Sequence, residues 1–241
     1  MTGIGTKATG WAGIAVPVLG MLPIAFTLRN FPKYYPYWSD STGDILAWYS
    51  RNRTLSLVQL YTANASLLLE LVFFAGLATV VVDTTRRTSM AARLILPAAA
   101  VLAADYMVAD IFMTIGTLAG TPSHPSTPEL VRSALESSYV AVLAAEPAAG
   151  MLLIATGLAI RPTRLFPLWT AWSATAIGAL NILITFDMLI AAGPLVPLSL
   201  LMSIPYIAAT LWVGAVGWHL LRVRHELAHR HGSSLRTENT T

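Results

Sequence analysis

The sequence predicts an all-α protein, a polytopic transmembrane helix bundle of about six spans with both termini in the cytoplasm. Three observations predict it. Hydrophobic residues make up 55% of the 241 residues and charged ones only 11%, with a mean hydropathy of +0.63; a soluble domain is about a quarter charged. Six apolar stretches approach the roughly 20 helical residues that cross a bilayer of about 30 Å. Lys and Arg are shared unequally between the two sets of loops, and cytoplasmic loops carry the excess.

The first span is Trp11–Leu28, with Pro17 and Pro23 inside it, so a kink is expected. One Lys precedes an apolar run there, but no small-x-small cleavage site follows, so the run reads as an uncleaved span. An aromatic loop follows, with Tyr34, Tyr35, Tyr37 and Trp38, and then SDSTGDILAWYSRNR, read as a short interfacial helix from Thr42. The second span is Leu55–Val82, containing Asn64 and Glu70, and the third is Arg93-flanked, about 94–118. Thr127-Pro128-Glu129 supplies an N-cap, a proline at the first helical position and an acid in the first turn. That helix runs into a fourth span, Tyr139–Ile160. RPTRLFP turns into the fifth, Leu168–Ala192, and GPLVP into the sixth, Leu198–Leu221. Residues 222–241 form a polar cytoplasmic tail, frayed at its end. The whole chain, 1–241, is one transmembrane domain.

On this layout Lys7, Arg86, Arg87, Arg93, Arg161, Arg164, Arg222, Arg224, Arg230 and Arg236 share one side, against Arg29, Lys33, Arg51, Arg53 and Arg132 on the other. The richer side holds both termini. The net charge of +3 is thus a topology signal, and a nucleic-acid partner is not expected. With no cysteine, disulfides, thiolate metal sites and a Cys nucleophile are excluded.

The functional signal is a set of acids inside the spans. Glu70, Asp105, Asp110, Glu146 and Asp187 all interrupt apolar stretches, with no Lys or Arg mid-span to neutralise them. A carboxylate at such depth costs roughly 2.5 to 3.5 kcal/mol even on lenient scales, so these positions mark protein interiors, cavities or ligand sites. Glu70 and Asp105 fall near the midplane; Asp110, Glu146 and Asp187 fall in the outer half. Asp105 and Asp110 are about 140° apart around their helix, whereas Tyr106 and Asp110 share a face. The candidate cluster is therefore Asp110, Glu146 and Asp187, with Tyr106 and Asn181 as polar neighbours and Glu70 entering from the second helix. Tyr139 and Tyr206 lie toward the outer half and are candidates to line the same site. Pro147, next to Glu146, frees the carbonyl of Leu143, and interrupted helices often line membrane binding sites.

Buried carboxyl groups share protons, so such a set can donate a proton or hold a cation. The alternative is neutral glue, each acid bonding a carbonyl or hydroxyl across the bundle. His225-Glu226-Leu227-Ala228-His229 spells HELAH, a match to the HExxH zinc pattern, with His231 nearby. It sits among arginines in a solvated tail, where a chance match is the simpler reading, and no metal or cofactor is assigned. His219, beside Trp218, reads as an interfacial anchor. Trp11, Trp169, Trp172, Trp212 and Trp218 read as belt residues.

The segments DILAWYSRNR, LFPLWTAWSA and LWVGAVGWHLLR resemble those of a large, mostly uncharacterised group of bacterial six-span integral membrane proteins. That resemblance implies a fold and brings no activity. Size, multiple spans, buried acids and aromatics also give a thinner likeness to small membrane-bound terpene cyclases. The likeness implies a buried acid that protonates a prenylated substrate.

Two functions are therefore expected. The leading one is a membrane enzyme, terpene-cyclase-like, using general acid catalysis on a lipid-soluble isoprenoid, with Asp110, Glu146, Asp187 and Glu70 as candidate acids. The partner would be a membrane lipid or prenylated small molecule. The other is a proton- or cation-coupled transporter or export protein using the same acids as a relay. Six spans in so small a chain favour a homo-oligomer. A scaffold needing no chemistry is the third reading.

Overall fold

A computed structural model describes residues 3–28, 36, 40–85, 89–121, 124–125, 127–186 and 203–238. It is all-α apart from one antiparallel pair of two-residue strands, β1 (Gly120–Thr121) and β2 (His124–Pro125). Among the described residues the six helices are α1 (Gly3–Leu28), α2 (Thr42–Thr85), α3 (Met90–Ala119), α4 (Pro128–Ile160), α5 (Leu168–Ile184) and α6 (Ile204–Glu238). Among the described residues, four are long and apolar enough to cross a membrane: α2, α3, α4 with the turn after it, and α6 as far as Val223. The chain is a multi-pass membrane protein.

Local chemistry explains where the helices start and stop. Ser41 Oγ accepts the Asp44 backbone N–H at 3.2 Å and donates to the Asp44 carboxylate at 2.6 Å, capping α2. Ser89 Oγ accepts the Ala92 N–H and caps α3. Thr127 occupies the cap position of α4 with Pro128 behind it, but its side chain makes no capping bond. The RPTRLFP turn is one turn of 3-10 helix, Arg161–Thr163, closed by Arg164 in the left-handed region at φ 51°.

Three elements differ from the sequence reading. The interfacial helix from Thr42 and the span from Leu55 are one 44-residue helix, about 66 Å long, twice the hydrocarbon thickness. No Gly or Pro lies between Asp44 and Ala75, so nothing stops the helix where hydropathy falls. Likewise α6 stays helical to Glu238, where a frayed tail is expected, because HELAHR is rich in helix formers. Trp212 is no belt residue: it is buried, and its indole N–H donates to the Thr170 carbonyl at 2.9 Å.

Each helix packs beside the next in sequence, and α6 returns to α1, closing a ring; α2 also touches α4 across the interior. Neighbours run antiparallel. Gly10 lies against Leu221 and Gly20 against Tyr206, while Trp212 meets Thr170 and His219 meets Leu165. Two seams rest on glycine. A Cβ on Gly217 would sit 2.8 Å from the Gly10 carbonyl oxygen and 2.9 Å from Gly13 Cα. On the other side of the ring, one on Gly178 would sit 2.7 Å from the Gly150 oxygen. Backbone contact through small residues is the usual means of joining helices in lipid, where burial of apolar surface drives little.

The interior has two apolar cores with a polar layer between them. Toward the end that carries the start of α1, Phe73, Leu77, Val81, Ile95, Leu152, Val216 and Leu220 form the larger core. At the opposite end the projecting turns of α2 and α4 cap the ring, with Ile45, Tyr49, Leu60, Met113, Val131, Leu135 and Tyr139 as a second core. Outside the ring, Trp11, Trp169, Trp172 and Trp218 are exposed near the first end, and Arg161 stacks 4.8 Å above the Trp172 ring. His219 bonds the Leu165 carbonyl at 3.0 Å, tying α6 to the turn that precedes α5.

Candidate functional site: a layer of acids between two cores

α2 contributes Asn64, Ser66 and Glu70 to the polar layer, α3 contributes Tyr106 and Asp110, α4 Glu146, and α6 Tyr206 and Thr210. Asn64 uses both amide hydrogens: Nδ2 donates to the Leu60 carbonyl at 2.8 Å and to Asp110 Oδ2 at 2.7 Å. The first bond fixes the amide on its own helix and the second holds the carboxyl of the next one. Four residues earlier on α3, on the same face, Tyr106 donates its hydroxyl to Glu146 Oε1 at 3.4 Å.

Tyr106 joins the layer together. It stands within electrostatic reach of Glu146, Tyr206 and Glu70, and Tyr206 in turn reaches Glu70 and Asp110. The Tyr206 hydroxyl also engages Thr210. Gly20 of α1 makes room for it, since a Cβ there would come 3.1 Å from the Tyr206 hydroxyl and 3.2 Å from Ser66 Oγ. Ser66 closes the layer against α1 by donating to the Val16 carbonyl at 3.3 Å. Glu70 lines a small cavity with Leu67, Phe74, Leu102, Ala103 and Leu152. Its volume, counted as space open to the centre of a water molecule, is about 10 Å³. That is room for one water.

The sequence-derived residues divide accordingly. Asp110, Glu146, Glu70, Tyr106 and Tyr206 come together in this layer. Asp105 does not: it is half-buried on another face of α3, and among the described residues no hydrogen bond or ion pair ties it to the others. Asn181 is buried, with its amide donated to Ile177 of its own helix at 2.8 Å. Tyr139 belongs to the capping core, and its hydroxyl donates to the Pro36 carbonyl. Asp187 lies outside the described residues. So do the side chains of His225, Glu226 and His229, although the α6 backbone carries them. Among the described residues no three His, Cys, Asp or Glu side chains gather to hold a metal.

Asn64, Ser66 and Thr210 are members of the layer not assigned from sequence. Asn64 is visible as a polar residue mid-span, but only the antiparallel register of α2 and α3 sets it opposite Asp110. No protein-family model, curated protein or solved structure matches the chain. The reading of the site therefore rests on its own chemistry.

Proposed function

We propose that this protein carries protons, or a small cation coupled to them, across a membrane, with Asp110, Glu70 and Glu146 as the protonatable relay. One observation carries the reading: three carboxyl groups on three helices lie in one polar layer, linked through Tyr106 and Tyr206, and Glu70 adjoins a space of water size. Carboxyl groups in hydrocarbon face a steep cost when charged, and chains of them mark proton pathways in pumps and transporters. Apolar packing would avoid that cost, so their retention favours a task over glue. In this reading α1 and α5 complete six spans, the Lys- and Arg-rich side with both termini is cytoplasmic, and the resemblance to bacterial six-span proteins describes the architecture.

The test is proton flux. Purified protein in sealed vesicles bearing a pH gradient is expected to collapse that gradient faster than protein-free vesicles do. A rate equal to that of empty vesicles, with and without monovalent cations or a membrane potential, sinks the reading.

A second reading, acid catalysis on a lipid-soluble isoprenoid, is favoured by one observation. The phenol rings of Tyr106 and Tyr206 flank the acids, where aromatic faces would stabilise a carbocation. Against it, ligand sites usually need about 300 Å³ or more, and the space beside Glu70 has room for one water. Incubation with prenylated lipids followed by mass spectrometry tests it. A rearranged product would move the assignment to the enzyme, and unchanged lipid would remove it.

A further inference from the structure

We infer that the outward side of α2 carries a site for one anionic phospholipid, with Arg53 taking the phosphate and the exposed apolar stripe below it taking the acyl chains. The site lies across α2 from the acids and does not depend on the proton-carrying reading.

The first observation is a groove. About 370 Å³ of space open to the centre of a water molecule lies against Arg53, Thr54, Leu57, Val58, Tyr61 and Thr62, and ligand sites run from roughly 300 to 1,000 Å³. Its top is polar and the wall below is apolar. Among the described residues, three arginines stand at this end of the bundle. Arg132 is engaged by Glu136 at 2.8 Å and by the Asp40 carbonyl, and Arg51 donates to the Ala47 carbonyl at 3.0 Å. Arg53 has no hydrogen bond or ion pair among the described residues, and neither has the Thr54 hydroxyl. No Asp or Glu is among the described residues that line the groove, so an anion fits it better than a headgroup ammonium.

The second observation is placement. With Glu70 near the midplane, the helical rise puts Tyr61 about 13 Å and Arg53 about 25 Å toward the capped end. The hydrocarbon edge lies about 15 Å from the midplane and the headgroup region ends at about 20 to 22 Å. Tyr61 is 81% exposed and thus sits at that edge, while the guanidinium of Arg53 reaches back to the phosphates on its flexible stem. At about 100° per residue, Thr54, Val58, Tyr61, Ala65, Leu68 and Val72 fall within about 40° of one line on α2. Val58, Tyr61, Leu68 and Val72 are exposed, and no charge interrupts the line. Buried Leu67, Phe74, Leu77 and Val81 lie about 140° or more around the helix. A free phosphate would meet Arg53 and Thr54 and leave the stripe bare; a phospholipid meets both.

Native mass spectrometry of the purified full chain, titrated in detergent with phosphatidylglycerol, is expected to show one tightly held lipid per chain. Arg53→Gln should weaken that adduct about tenfold, the loss expected when a charge-assisted bond goes. Arg51→Gln, two residues away and outside the groove, should leave it unchanged. Both arginines are exposed, and melting confirms that each variant is folded. On the parent, phosphatidylcholine should bind about tenfold more weakly than phosphatidylglycerol, and glycerol phosphate, a headgroup without tails, should not displace the lipid at equal concentration. Equal binding by the parent and Arg53→Gln, or of the two lipids, overturns the site. Displacement by glycerol phosphate makes it a free-anion site and overturns the lipid. A dimer that holds no lipid gives the face to a second copy of the chain, and overturns it as well.

Discussion

Asp110→Asn is expected to cut proton flux about 100-fold, the lower end of what one positioned proton-transfer group contributes, while the protein stays folded. The geometry explains both halves. A carboxamide at 110 still offers a carbonyl oxygen to the Asn64 N–H that Asp110 Oδ2 now accepts at 2.7 Å, so the α2–α3 contact survives. What it loses is a proton that can leave. Asp105→Asn is the control, since Asp105 lies on the same helix but outside the layer, and its flux should stay near that of the parent. Vesicle flux and thermal melting are read together on each variant. Equal effects of the two substitutions would show that the layer is not the route. Loss of flux accompanied by a collapsed melting temperature would reduce Asp110 to a structural role.

Gly217→Leu is expected to destabilise the bundle by about 3 kcal/mol or more, at the upper end for overpacked sites. The added Cβ would press on the Gly10 carbonyl and on Gly13 Cα, both backbone atoms that no rotamer change can move aside. The α1–α6 seam must then open. Gly116→Ala is the contrast, because its Cβ meets the Tyr49 ring at 3.4 to 3.6 Å, an ordinary contact, and alanine favours a helix by up to about 1 kcal/mol over glycine. Melting in detergent separates the two, with a large drop for the first and little change for the second. Equal stability of Gly217→Leu and the parent would mean that the glycine contact is dispensable.

What was legible in the sequence follows from how local the signals are. Hydropathy and length put the third span at about 94–118, inside α3 (Met90–Ala119), and the proline and arginine run before Leu168 marked the turn it forms. Glu146 and Tyr106 were visible as polar residues at mid-span depth. The partners were not visible, because the pairing of Asn64 with Asp110 depends on the register between two antiparallel helices and not on spacing within either. Trp212 shows the same limit. Grouped with the other tryptophans it reads as belt, and only the approach of α5 gives its N–H a buried partner. The continuity of α2 was hidden for a different reason: hydropathy reports where a helix leaves lipid, whereas the backbone continues until a breaker or a cap ends it.

The order of the ring has a consequence for how the chain assembles. Five of its six seams join segments adjacent in sequence, so each can form as soon as the second helix of a hairpin enters the membrane, with little loop entropy to overcome. The sixth joins the first helix to the last and waits for the whole chain. Until α6 arrives, the backbone of Gly10 faces lipid or whatever helix is nearest, and Gly13 is covered on one side only, by Phe73 of α2. The step that seals the polar layer against α1 and α6 is thus also the one with the longest exposure to wrong partners. Errors in biogenesis should collect at that closing seam.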